Sequence, residues 1–211
     1  MISTGYAALD ASHVALRTVI AALADADLDR PTPCSQWSLA QVLRHAAGDQ
    51  IGFAAFLDGG AGPDENPFTP SATPPQDPKA FLEQALNRSA GAWAAVDPQT
   101  EEVAVPVPPN KLSARVGAGA CALDAAVHAW DIAMASGQPS PLTPDLSAEL
   151  LVVARQIVEP LRQFGAYAPE LAPEQGDDAE AELLRYLGRD PRWTAATTGG
   201  AGAAVGGVTA G

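Results

Sequence analysis

Positive charge and cysteine are both scarce in this 211-residue chain. Twelve Lys and Arg face twenty-five Asp and Glu, for a formal net charge of −13 at pH 7. A field of that sign repels phosphate backbones and anionic headgroups, so nucleic acid and membrane surfaces are not expected partners. The two cysteines, Cys34 and Cys121, do not stand at a metal-ligand spacing from each other, and secreted domains of this kind use more of them. Two reduced thiols in a cytoplasmic protein are the expectation. It agrees with an N-terminus that lacks a basic region, an apolar stretch and a cleavage site. No apolar run reaches the roughly 18–20 residues of a membrane span, because Asp124 and Asp131 interrupt the nearest candidate. Histidine occurs only as His13, His45 and His128.

What is present is apolar: hydrophobic residues make up 47% of the chain, enough to bury a core without a disulfide or metal staple. From Ser3 to about Asp25, Leu9, Leu16, Ile20 and Leu23 recur at three- and four-residue steps, the pattern of an amphipathic helix that also carries His13. In "QWSLAQVL", Ser38 and Gln41 form a capping-box pattern and Trp37 and Val42 a staple, which predicts a helix from Leu39 to about Leu57 with His45 and Asp49 on its flank. Residues 59–78 read as a long Pro- and Gly-bearing loop. A third helix is expected from Pro78 to about Ala95, and "VAVPVPPN" is an extended or polyproline-like connector that cannot be helical. A fourth helix runs from about Ser113 to Ala135 and stops at Gly137; a fifth spans about Leu142 to Leu161, bent near Pro160, and a sixth Asp177 to Leu187. No strand pattern stands out. The expected architecture is all-α, an up-and-down-type four-helix bundle over residues 1–137 with a helical C-terminal extension over 138–193 packed on it. The Gly/Ala/Thr-rich tail 194–211 is expected to be disordered.

The fourth helix poses a question. In "CALDAAVHAWDIAMASG" an almost wholly apolar run carries Asp124, His128 and Asp131, spaced i, i+4 and i+7 and therefore on one stripe. A helix that is hydrophobic all round is buried, and a buried carboxylate must be paired, hydrogen-bonded or bound to a metal. Asp124 and His128, one turn apart, can converge on a zinc-type ion. A site with an open position then needs a third donor from another helix, for which His45 and His13 are the available imidazoles. Asp49 is a further ligand candidate or an acceptor that orients an imidazole, and Asp131 is either such an acceptor or a helix-surface aspartate. Cys121 lies about 10 Å from His128 along the helix axis, too far for co-ligation, and reads as a small core residue. Without a metal, the stripe is an internal polar network, and a homodimer interface could cover it.

Two longer segments carry a family likeness. "TPCSQWSLAQVLRHAAG" and "DAAVHAWDIAMASGQP" resemble, in order, the two motifs of actinobacterial metal-binding proteins similar to the metal-binding N-terminal domain of mycothiol-dependent maleylpyruvate isomerase. That family lies within the DinB-like superfamily of four-helix bundles. "FGAYAPE" and "LLRYLGRDPRW" resemble the closing segments of a subfamily. The resemblance implies that His45, Asp124 and His128 bind one divalent metal, most often Zn2+, and that Asp124 stands where the family has glutamate. It also implies a low-molecular-weight thiol such as mycothiol as a cofactor, with a small-molecule thiol and an electrophile as partners in an S-transferase or isomerase reaction. A non-catalytic metal-binding or dimerisation role is the competing expectation.

Overall fold

The computed structural model describes residues 2–195, so the expectation for the tail falls, from residue 196 onward, outside the described residues. Among the described residues six α-helices form: α1 (Ala7–Ala21), α2 (Leu39–Asp58), α3 (Pro78–Ala94), α4 (Ala114–Ser136), α5 (Pro144–Gln163) and α6 (Ala179–Tyr186). The protein is an all-α bundle, as expected. α1 is shorter than its apolar pattern: its start is delayed by Thr4 and Ser3, which bond Asp10, and a separate 3₁₀ turn takes Asp25–Asp27. The connector is extended where extension is expected, but it also pairs, which the sequence pattern does not show. Val103–Ala104 (β1) and Lys111–Leu112 (β2) pair antiparallel, Val103 opposite Leu112, so the proline-rich connector closes into a minimal hairpin. α5 also continues through Pro160 to Gln163.

Local chemistry sets the ends of the other helices. Gln41 Oε1 takes the Ser38 N–H at 3.1 Å at the start of α2. Asp77, Ser113, Thr143 and Asp178 each accept a first-turn N–H with their side chains. Gly59 and Gly137 close α2 and α4 at φ of 69° and 73°, a left-handed conformation that costs other residues more.

The order of the helices around the bundle departs from an up-and-down one, in which α1 would pack beside α2 and α3 beside α4. α1 packs on α4 and α3, and α2 packs on α3 and α4, which places α1 and α2 at opposite corners. The connections of residues 22–38, 59–77 and 95–113 are long enough to permit that order. α4 is the central element, with almost every residue buried, and its small side chains allow close approach. A Cβ on Gly119 would come within 2.7 Å of Val153 Cγ2 on α5. Leu150, Ala154, Ile157 and Val158 of α5 and Leu183, Leu184 and Leu187 join Leu123, Val127 and Trp130 in one core cluster, so residues 138–193 share their interior with α4. Among the described residues no helix is long and apolar enough to cross a membrane.

Candidate metal centre

Because α2 packs directly on α4, the polar flank of one meets the polar stripe of the other. His45, Asp124 and His128 converge, with one ligand atom from each inside a common 4.8 Å span. Asp124 Oδ1 lies 3.6 Å from His45 Nε2 and 3.4 Å from His128 Nε2. Donors of a tetrahedral zinc-type ion with bonds of about 2.0–2.1 Å stand about 3.3–3.4 Å apart. Both separations lie within about 0.3 Å of that edge.

Each imidazole is aimed by its other nitrogen. His45 Nδ1–H donates to the Pro67 carbonyl at 2.9 Å, and His128 Nδ1–H donates to Asp131 Oδ2 at 2.9 Å. Both acceptors lack a proton to give, so each Nδ1 carries hydrogen and each Nε2 faces the centre. The two rings meet edge to face, 4.7 Å between centroids. Trp37 lies 4.7 Å from the His45 ring on one side, and Phe68, 63% exposed, lies 5.9 Å from it.

The charge balance of these buried groups is unfinished without a cation. Asp124 Oδ2 is buried and has no hydrogen-bond partner among the described residues. Asp49 Oδ2 lies 3.8 Å from His45 Nε2, and burial together with the negative charge of Asp124 pushes the Asp49 carboxyl up to about 7. Burial also opposes the charge on Asp124, but His128 and His45 hold its carboxyl well below the ordinary range. His128 is disfavoured as a cation by burial and yet raised, first by Asp124. Asp124 and Asp131 thus draw positive charge onto the His128 imidazole. A divalent ion would supply that charge directly, and the oxygen–nitrogen donor set fits one.

The other sequence candidates separate clearly. Asp49 touches the centre but does not share the span of the three donors. Asp131 is fully buried, which excludes the helix-surface alternative. His13 does not reach the centre: its Nε2 bonds Gln50 Oε1 at 2.8 Å, and burial lowers its pKa to about 4. Cys121 lies in the same inner network, its Sγ 3.2 Å from Gln50 Oε1, and burial pushes its thiol up to about 12. Sequence reasoning missed the Pro67 carbonyl, because a main-chain acceptor has no side-chain signature. It also missed Arg189 and Cys34 as partners of Asp131, although both stand in quoted motifs. Tyr167, from the segment after α5, lies within electrostatic reach of Asp124 and Arg189, and burial is the main cause of its rise to about 12.

The family model described as the mycothiol maleylpyruvate isomerase N-terminal domain matches residues 9–133. Two uncharacterized proteins of Mycobacterium tuberculosis, from strains CDC 1551 / Oshkosh and ATCC 25618 / H37Rv, are each 31% identical over 171 residues, covering 78% of this chain and 86% of their own. No solved structure gives a significant match. All three proposed donors fall within the matched region. With more than half of its length matched, the chain belongs to the mycothiol maleylpyruvate isomerase N-terminal domain family.

Proposed function

We propose that the protein binds one divalent metal ion, zinc by its donor chemistry, through His45, Asp124 and His128, and serves a transferase or isomerase reaction that depends on a low-molecular-weight thiol of the mycothiol class. The observation that carries this reading is a cluster of three protein donors within 4.8 Å of one another, two of whose separations lie near a tetrahedral edge, beside a buried carboxylate oxygen without a hydrogen-bond partner among the described residues. Three protein donors leave a position for an exogenous ligand, which distinguishes a reactive site from a closed structural one. When bound there, a divalent ion lowers the pKa of a coordinated thiol and presents a thiolate at neutral pH. The chain's own contribution is positional. Pro67 O and Asp131 Oδ2 fix the two rings, while Trp37 and Phe68 supply apolar surface beside His45.

A second reading has one observation in its favour. Asp49 Oδ2, 3.8 Å from His45 Nε2, is near enough that a small rotation would make it a fourth donor and close the site. The ion would then tie α2 to α4 without chemistry. Elemental analysis of untagged protein, beside folded His45→Ala and His128→Ala variants, tests the shared premise. About one equivalent of metal in the parent, lost in both variants, is expected; a parent that neither holds nor takes up a divalent ion refutes it. Titrating mycothiol into cobalt-substituted protein separates the two readings: a sulfur-to-metal charge-transfer band supports the open site, and an unchanged spectrum supports the closed one.

A further inference from the structure

Asp131 gathers more than its share of hydrogen bonds. It is fully buried, and its two oxygens accept from four donors that come from three parts of the chain. His128 Nδ1 reaches Oδ2 at 2.9 Å from the preceding turn of α4, and Cys34 Sγ reaches the same oxygen at 3.2 Å from the turn before α2. Arg189, just past α6, spans both oxygens: Nε lies 2.9 Å from Oδ1 and Nη2 2.8 Å from Oδ2. Arg189 Nη2 also donates to Cys34 Sγ at 3.3 Å. Residue 189 lies well beyond residue 133, where the family match ends.

From this arrangement we infer that Arg189 is a positioning residue of the metal centre: the segment after α6 fixes the carboxylate that in turn aims His128. A bidentate guanidinium pair sets the plane of a carboxylate as well as its place, which a single hydrogen bond cannot do. With the plane set, Oδ2 is a directed acceptor for the His128 N–H and Nε2 is held toward Asp124. The delivery of Arg189 is itself constrained. Gly188 has φ of +78°, and a Cβ there would lie 2.7 Å from Ala168 Cβ and 2.7 Å from the Pro169 carbonyl. The turn that returns the chain from α6 is therefore seated against residues 168–169. Removing the guanidinium leaves a buried carboxylate without its countercharge, free to rotate or to admit water, and the ring it orients loses its fixed bearing.

The inference rests on the proposed metal site for its consequence, but its first readout needs no metal. The full chain, with 15N-labelled histidine, is examined by long-range proton–nitrogen correlation as metal-free protein, and zinc affinity is measured separately by chelator competition. The variants are Arg189→Ala, Arg189→Lys and, as a control that loosens the extension elsewhere, Thr143→Ala. The Thr143 hydroxyl accepts the Leu146 N–H at the start of α5. Arg189→Ala is expected to broaden or shift the His128 Nδ1–H signal and to weaken zinc binding about 10- to 100-fold, the usual cost of losing an outer partner. Arg189→Lys should fall between it and the parent, and Thr143→Ala should match the parent in both readouts. A parent-like His128 signal and zinc affinity in Arg189→Ala would overturn the inference, leaving Arg189 as an anchor only; so would the same change in Thr143→Ala. If Arg189→Ala does not fold, Arg189→Lys decides by the same signal. If the parent takes up no zinc, the proposed function falls, while the His128 signal still decides the role of Arg189.

Discussion

Replacing Asp124 by Asn keeps the shape of the side chain and removes the anionic donor shared by His45 and His128, whose Nε2 atoms stand 3.6 and 3.4 Å from its Oδ1. A ligand that binds only the folded state stabilises it by RT ln(1 + [L]/Kd), about 2.7 kcal/mol at one hundred times Kd. For a domain of this size each kcal/mol moves the melting temperature by about 2–4 °C, so zinc at that excess should raise the parent's Tm by about 5–10 °C. Loss of an outer partner alone weakens metal binding by about 10- to 100-fold, and loss of one of three direct donors should do no less than the upper figure. At the same free zinc the variant then sits near its own Kd, where the stabilisation is only about 0.4 kcal/mol and the shift about 1–2 °C. Differential scanning calorimetry with and without zinc, on the same preparations, reads both numbers. An Asp124→Asn protein that keeps the parent's full zinc-induced shift would refute the assignment of Asp124 as a donor and with it the argument from donor spacing.

Acid should weaken the fold through His13. Its unfolded form takes up a proton near the ordinary 6.5 and its folded form near 4, so the unfolded state binds more protons between those values. Stability present above pH 6.5 is lost as the pH falls toward 4, by about 3 kcal/mol in total, and His13→Gln should flatten that part of a urea-denaturation series. An equally steep loss in the variant would place the sensitivity elsewhere. Gly119→Ala should destabilise by about 1–3 kcal/mol, because the added Cβ would lie 2.7 Å from Val153 Cγ2. Adding Val153→Ala to it should recover part of that loss in a double-mutant cycle, whereas strict additivity would mean the contact is not the cause. Phe68→Ala should move stability by less than about 0.5 kcal/mol, since the ring is 63% exposed, and should leave metal content unchanged by elemental analysis.

Much of the bundle is legible in the chain because its signals are local. Ser38 with Gln41, Pro78 after Asp77, and Gly137 after an apolar run mark ends that the structure keeps to within a residue or two. The order of helices around the bundle was not legible. Long connections leave neighbours to be chosen by complementary faces, and α4, buried on nearly every side, has no solvent-facing side to orient it. The site divides in the same way. Asp124 and His128 are one turn apart on one helix, and His45 stands in a motif of its own. Arg189 meets Asp131 across 58 residues, and nothing in the spacing of either residue announces the other. His13 shows the limit from the opposite side. It had the right chemistry to be a ligand, and only the placement of Gln50 shows that its nitrogen is already engaged.

The hold on His45 by a backbone carbonyl has a consequence for how this centre tolerates change. Every residue has a carbonyl oxygen, so a point substitution at position 67 leaves the acceptor of the His45 N–H in kind, and mutational scanning of side chains would pass over it. The position of that oxygen depends instead on the length of chain between α2 and α3 and on Gly48, where a Cβ would come within 3.0 Å of Pro67 Cβ. Insertions and deletions in residues 59–77, ordinarily the changes a surface loop absorbs most easily, are therefore the changes this loop should resist, and a library of one-residue deletions would find this hold on His45 where substitutions at position 67 would not.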